Sequence, residues 1–341
     1  MNLVPMRCQP LSVVLRPFVW NILLLSGHQR WRRVAGLRAL GAGVELRCCR
    51  EISVVILSYN RRDDLRTTLA QLLVPDAPWH EVIVADNASS DGTPDMIRRS
   101  YPAVRLVETG GNHGIVGSNK GYLAATGRWV LSLDDDSHPF LPSWQRLSPM
   151  LDADQLTGER VAAVSLSVRS VAPVVTTSTA APTSTLQPAF GFSSAGVLFS
   201  RDALLSIGVY DPELFLFTNE LHWTARALEM GWRLLKCDEA CVIHRAVPLQ
   251  RSSIRHAFYY CRNLLLFTLR HAPATEVREQ LARQLADVGA FSLLHGTRVY
   301  LKAAREAWRM STSRQPERPR LLPEQLRAMN IDWRVPYGYL G

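Results

Sequence analysis

The segment Leu131-Ser132-Leu133-Asp134-Asp135-Asp136-Ser137 ends an apolar run in three adjacent carboxylates. Like charges packed this closely repel, so they need a cation or a basic side chain beside them. The apolar run reads as a buried strand, and side chains alternate along an extended backbone. Asp134 and Asp136 are therefore expected on one side and Asp135 on the other. Two carboxylates on one side of a strand end suit a hard divalent cation, Mg or Mn, that keeps waters and also takes phosphate oxygens. An isolated acidic triplet would serve equally as a solvated turn, so its surroundings must decide.

Those surroundings alternate strand and helix. Ile52 to Ser58 is a continuous β-branched run and reads as a buried strand. Asp63-Asp64 open a helix through about Leu73, with Asp63 as its cap. A second strand, Glu81 to Ala85, ends at Asp86-Asn87, and Asp91-Gly92-Thr93-Pro94 turns into a helix with proline in its first turn. Val104 to Val107 is a third strand, Gly111 to Gly117 a glycine-rich loop, Ser118 to Ala125 a helix, and Trp129 to Leu133 a fourth strand. This alternation implies an α/β fold with a mostly parallel sheet covered on both faces. Ligands of such sheets sit at the carboxyl ends of the strands. Ser58-Tyr59-Asn60, Asp86-Asn87 and Asp134-Asp135-Asp136 all fall at those ends.

Four segments, taken in order, carry a family resemblance. They are Ser53 to Asn60 (SVVILSYN), Asp86 to Thr93 (DNASSDGT), Gly111 to Asn119 (GNHGIVGSN) and Leu133 to Asp136 (LDDD). They resemble the successive motifs of family 2 glycosyltransferases with a GT-A fold, in the bacterial, rhamnosyltransferase-like group. The resemblance covers about residues 50 to 270. It implies that Ser58, Tyr59 and Asn60 line a base pocket and that Asp86 binds the base or ribose. It implies that Asn112, Gly114 and Asn119 shape the diphosphate side. Asp134, Asp135 and Asp136 then form the acidic donor-binding motif, with Asp134 and Asp136 as metal ligands.

The second half adds three further matches. Gly191 to Arg201 is rich in small residues and resembles the family's segment beneath the donor sugar. Phe215 to Arg226 resembles its acidic helix start, which gives Glu220 the place of the catalytic base. The usual acidic pair appears here as Asn219-Glu220, and a later acidic position holds His222, so the match departs from the pattern there. Asp211 and Glu213 are the nearby alternatives to Glu220. Cys241-Val-Ile-His244 resembles the late strand whose histidine completes the metal–diphosphate site. The resemblance thus implies an inverting, metal-dependent enzyme of hexosyl or deoxyhexosyl transfer. It would move a sugar from a nucleotide-diphosphate donor to a glycan or lipid-linked acceptor in surface polysaccharide or glycolipid synthesis. A nucleotidyltransferase and a catalytically silent sugar-binding scaffold are the competing readings.

Composition bounds the rest. The chain has 341 residues, 47% hydrophobic content and a net charge of +9. Arginines cluster at Arg30, Arg32, Arg33, Arg38, Arg47 and Arg50, and again at Arg305, Arg309, Arg314, Arg318 and Arg320. A basic rim suits phosphorylated substrates or an anionic membrane surface. No aromatic–basic ladder accompanies it, so nucleic acid is not an expected partner. The six cysteines, Cys8, Cys48, Cys49, Cys237, Cys241 and Cys261, are sparse and fit a reducing, cytoplasmic setting. Cys237-x3-Cys241-x2-His244 lacks a fourth ligand for zinc. Leu11 to Leu25 is apolar but broken by Arg16 and Pro17, too short to span a bilayer and without a clean cleavage site. Ser170 to Pro188 reads as an irregular Ser/Thr/Ala/Pro loop. The expected organisation is an N-terminal extension over 1–50, a GT-A catalytic domain over 51–250 and a helical extension over 251–341. Arg255 to Arg270 mixes apolar and aromatic residues between basic ends, so it is expected to dock peripherally at the inner face of the plasma membrane, assisted by the arginine-rich tail.

Overall fold

The apolar run Ile52–Ser58 forms β1, buried along nearly its whole length, because strands lie against it on both sides and helices cover both faces. A computed structural model of the chain describes residues 51–75, 79–152, 160–170, 186–245, 254–313 and 320–331. β1 pairs in parallel with β2 (Glu81–Asp86) on one side and β4 (Trp129–Asp134) on the other, and β3 (Arg105–Glu108) extends the sheet beyond β2. Helices α1 (Arg62–Leu72), α2 (Thr93–Ser100) and α3 (Ser118–Ala124) make the crossovers. The register sets Ser58 beside Asp86, and Leu57 beside Asp134. The three polar strand ends foreseen from the sequence therefore lie along one edge.

Past β4 the sheet turns mixed. After β5 (Ser137–Pro139) and α4 (Leu141–Asp152) come β6 (Val161–Arg169), β7 (Gln187–Ala189) and β8 (Val197–Ser200). β8 runs antiparallel between β4 and β6. Helices α5 (Arg201–Ile207) and α6 (Asn219–Glu229) then lead to β9 (Arg233–His244), which runs parallel to β6. β9 is long enough to take β7 along its first half and β5 along its end, and the latter pairing sets His244 opposite Ser137. The strand that delivers His244 is thus fixed directly to the acidic turn.

One expected cap is corrected. Asp63 does not cap α1; the helix begins at Arg62, and Asp63 lies in its first turn, paired with Arg62 and Arg66. The first amide of the helix is taken by Asp91, whose carboxylate accepts from Arg62 N at 2.8 Å. A partner from a distant loop thus replaces the local one.

Helices α7 (Ile254–His271), α8 (Val277–Leu294), α9 (Val299–Ser313) and α10 (Pro323–Ala328) form the C-terminal helical region. α7, the helix expected on the membrane, is instead an inner helix. Arg262, Asn263 and the run Leu264–Thr268 are buried, and Arg262 lies over the Tyr259 ring, 4.9 Å from its centroid. Arg262 is neutralised by Glu306 and Arg270 by Asp211 and Glu213, carboxylates far along the chain that the composition of α7 does not reveal. Among the described residues, no helix is long and apolar enough to cross a membrane. Residues 1–50, most of the Ser170 to Pro188 loop, and Arg314 and Arg318 lie outside the described residues.

Candidate metal and nucleotide-sugar site

The acidic turn is held from three sides. β4 ends at Asp134, and the chain turns through Asp135 and Asp136 into β5. Asp134 N donates to Ser137 Oγ at 2.8 Å, Thr68 Oγ1 donates to Asp135 O at 2.7 Å, and Arg245 N donates to Asp136 O at 2.9 Å. Arg245 also donates to Thr68 Oγ1 at 2.8 Å and to Asp64 O at 3.0 Å, tying α1 to the end of β9. Asp134 and Asp136 do come together, but through this turn rather than through strand alternation.

His244 Nε2 stands 2.9 Å from Asp136 Oδ1 and 3.7 Å from Asp134 Oδ2. One ligand atom from each of Asp134, Asp136 and His244 lies within 4.8 Å of the others. Asp136 Oδ1 is buried, and His244 Nε2 is its close neighbour. Two carboxylates and an imidazole form a donor set that fits a divalent cation.

Arg61 supplies the basic partner that the triplet required. Its Nη1 lies 2.8 Å from Asp136 Oδ2 and 3.2 Å from Asp135 Oδ1, while Nε and Nη2 reach Asp64 Oδ2 at 3.0 and 2.9 Å. The carboxyls titrate apart as a result. Desolvation works to raise Asp136, but His244 and Arg61 outweigh it and hold the group at about 2. Desolvation raises Asp135 to about 7; Arg61 opposes the rise, and the charges of Asp136 and Asp134 add to it.

Ser58 and Asp86 sit side by side at the ends of β1 and β2, both buried. Asp86 Oδ2 accepts from Ser89 N at 2.9 Å, but Asp86 Oδ1 and Ser58 Oγ are buried with no hydrogen-bond partner in the protein. Buried polar atoms of this kind are costly unless something fills their need. Tyr59 is 43% exposed, and its amide donates to the Asp135 carboxylate. Asn60 stands at φ +52° and accepts from Ser90 N at 2.7 Å, closing the rim between the two strand ends.

The glycine-rich loop is held by contacts within it and to the second half of the chain. Asn112 Oδ1 accepts from Gly114 N at 2.9 Å, a local turn. Gly114, at φ +63°, faces the Phe215 carbonyl so closely that a Cβ would collide with it. Asn119 uses both ends of its amide on the backbone of Tyr210, at 2.8 and 3.0 Å. It fastens the loop to the second half of the chain.

Glu220 lies in the first turn of α6. Its carboxyl is raised by desolvation, against which its own amide and the amide and hydroxyl of Ser194 act. The buried Tyr210 hydroxyl is raised first by desolvation, then by Tyr122, with Glu220 and Asp134 adding to the rise. Asp211 and Glu213 are engaged elsewhere: Arg270 binds them at 2.9 and 3.2 Å. His222 is buried away from the turn. Its ring nitrogens meet His271 Nε2 at 3.2 Å and Asn263 O at 3.0 Å, and His271 Nδ1 meets Glu229 at 2.8 Å. Desolvation first, then the adjacent His271, hold His222 well below the ordinary histidine range.

Residues 53–177 match the family model described as glycosyl transferase family 2. They are a family 2 glycosyltransferase domain. The chain is 32% identical over 123 residues to the succinoglycan biosynthesis protein ExoO of Rhizobium meliloti, covering 36% of this chain and 34% of that protein. It is 33% identical over 97 residues to an N-acetylglucosaminyl-diphospho-decaprenol L-rhamnosyltransferase of Mycobacterium tuberculosis, covering 27% and 29%. The chain thus spans about a third of the length of the curated relatives it matches. In fold it is similar to S. aureus TarS solved with UDP-GlcNAc, at TM-score 0.52 and 16% identity, covering 75% of this chain and 80% of that one. It is also similar to GalNAc-T7 solved with UDP, GalNAc and Mn2+, at TM-score 0.53 and 14% identity, covering 78% and 58%. The fold is GT-A.

Four residues beside the candidate site escaped sequence reasoning. Arg61, Thr68, Arg245 and Ser194 touch the acidic turn or Glu220. Arg245, one residue past His244, and Ser194, inside the small-residue segment Gly191 to Arg201, had a positional signal, whereas Arg61 and Thr68 had none. The zinc-like spacing resolves into two buried free thiols, Cys237 and Cys241, with His244 given to the acidic turn.

Proposed function

We propose that this protein transfers a sugar from a nucleotide-diphosphate donor to an acceptor hydroxyl, with inversion at the anomeric carbon. The observation that carries the proposal is the convergence of Asp134, Asp136 and His244 beside the edge where Asp86 and Ser58 keep unfilled polar atoms. Ser58 Oγ and Asp86 Oδ1 would hydrogen-bond the base or ribose. Asp134, Asp136 and His244 would hold a divalent cation, Mg or Mn. When bound, that ion would neutralise the charge of the leaving diphosphate. Arg61 would add a second positive charge at the same turn. Glu220 would take the proton of the attacking hydroxyl, and desolvation moves its affinity toward the range that suits a base near neutral pH. Attack from the side opposite the leaving group needs one base and no covalent intermediate. The Mycobacterium tuberculosis relative is named for a diphospho-decaprenol acceptor, and on that likeness the acceptor proposed here is a lipid-linked glycan.

A screen of nucleotide sugars by thermal shift, with and without Mn2+, finds the donor. Glu220→Gln should then lower turnover by about a hundredfold to ten-thousandfold with donor affinity nearly unchanged. Asp136→Asn should weaken metal-dependent binding of the nucleoside diphosphate itself. Near-normal turnover of the Glu220 variant would remove its role as base. Unaltered metal-dependent binding in the Asp136 variant would remove the metal site.

A further inference from the structure

α8 buries one apolar face and leaves further apolar side chains exposed on the other. Val288 and Phe291 point inward, into a cluster with Leu265 and Leu266 of α7 and Tyr300 of α9. On the outer face Leu285, Leu293 and Leu294 stand 51%, 86% and 65% exposed, with Ala282, Ala286 and Ala290 exposed between them. α9 packs beside α8 and continues the pattern, with Leu301 and Trp308 exposed at 51% and 62%, two turns apart on one side. Large apolar side chains exposed on two helices packed together mark a candidate interaction site.

The charges on this surface choose the occupant. Arg298, Lys302, Arg305 and Arg309 are exposed and flank Leu301 and Trp308. The acid of α9, Glu306, is turned away to Arg262 at 2.9 Å. On α8, Glu279 is paired with Arg283, which leaves half-buried Asp287 as the remaining acid. We infer that the outer face of α8 and α9 docks on an anionic bilayer, with the leucines and Trp308 in the interface and the four cations at headgroup level. This combination is the one that binds amphipathic helices to membranes. A second copy related by a two-fold axis would set the cations against themselves, since such an interface joins the same patch on both subunits. The inference deepens the reading of a lipid-linked acceptor, but vesicle binding needs neither donor nor acceptor. Its failure is therefore distinguishable from failure of the transfer reaction.

Flotation of the full chain with phosphatidylcholine vesicles, with and without phosphatidylglycerol, tests it. The chain should float with anionic vesicles at low salt, and much less with neutral vesicles or at high salt. Each cation is worth about fivefold in partitioning. The triple variant Lys302→Glu/Arg305→Glu/Arg309→Glu should therefore bind at least about a hundredfold more weakly. Leu293→Ser/Trp308→Ser should also lose flotation. Every substituted side chain is exposed, so an unchanged melting curve confirms that the fold persists. Equal flotation of both variants and the wild type would overturn the inference by moving the binding to another segment. So would failure of the wild type to float at low salt, or a dimer that Leu293→Ser/Trp308→Ser dissociates without any vesicle binding.

Discussion

Arg61 contacts Asp64, Asp135 and Asp136 at once and so stands in the electrostatic place of a cation beside the acidic turn. Its side chain is 36% exposed while Asp135 and Asp136 are buried, so water screens the pair only in part. Removing one partner of a buried pair leaves a charge uncompensated. Arg61→Gln should thus destabilise the metal-free protein, and the partial exposure discounts the cost to on the order of 1–2 kcal/mol. The same variant should bind free Mn2+ more tightly, because no internal cation competes for Asp136. Electron paramagnetic resonance of unbound Mn2+ measures this directly, and weaker Mn2+ binding by the variant would contradict the argument. The sequence made Asp134, Asp136 and His244 legible because each ends a recognisable strand motif. Arg61 carries no pattern of its own. It follows Asn60 as an ordinary basic residue, and its partner Asp136 lies 75 positions away, brought near by the β1–β4 pairing.

At the scale of elements, the segment just before α6 sets where Glu220 stands. Phe215, Phe217 and Thr218 all have φ near +60°, a region that non-glycine residues seldom occupy. Such strain persists only where the surroundings hold it. α7 does the holding. Asn263 Nδ2 donates to the carbonyls of Leu214, Leu216 and Phe217 at 3.0, 2.8 and 3.0 Å, and Arg262 Nη2 donates to those of Glu213 and Leu214 at 2.7 and 3.0 Å. On the other side, Phe215 O accepts from Ile115 N at 2.9 Å, where Gly114 leaves room for it. Asn263→Leu keeps the bulk and removes the donors, and the Leu216 carbonyl loses the bond it accepts, at about 1–3 kcal/mol. Turnover should fall at least about tenfold while the metal-dependent affinity for nucleoside diphosphate, which is set by the opposite edge, stays within about twofold. An equal loss in both would assign Asn263 a merely structural role. The long parallel strands were readable because strands buried on both faces are continuous β-branched runs. β5 and β7 were not, since three residues on the edge of β9 carry no periodicity. His222 looked like a departure within an acidic motif, yet its partner His271 lies 49 residues on, and no local pattern announces that pairing.

For the whole molecule, the question is whether the helical region after β9 can be removed. The described residues belong to one compact unit. Phe267 and Ala272 of the α7 segment, with Leu321, Leu326 and Met329 from the end of the chain, lie in the same cluster as Phe199, Tyr210 and Trp223. α7 also closes a further cluster around Leu214 with α8 and α9. Leu264, Leu265, Leu266 and Phe267 are each at most 1% exposed. Fully burying one such side chain contributes roughly 1.5–3 kcal/mol, so these four alone give roughly 6–12 kcal/mol. That is comparable with the whole stability of a typical domain, about 5–15 kcal/mol. Truncation would in addition free the carbonyls that Arg262 and Asn263 satisfy and expose the strained approach to Glu220. A chain ending at residue 253 should therefore show no cooperative thermal transition and no metal-dependent stabilisation by a nucleoside diphosphate. The full chain should show both in calorimetry. A truncated chain that melts cooperatively and still responds to nucleoside diphosphate with Mn2+ would establish that the sheet and its strand-end site stand alone. The C-terminal helices would then be an appended layer and not part of the core that positions Glu220.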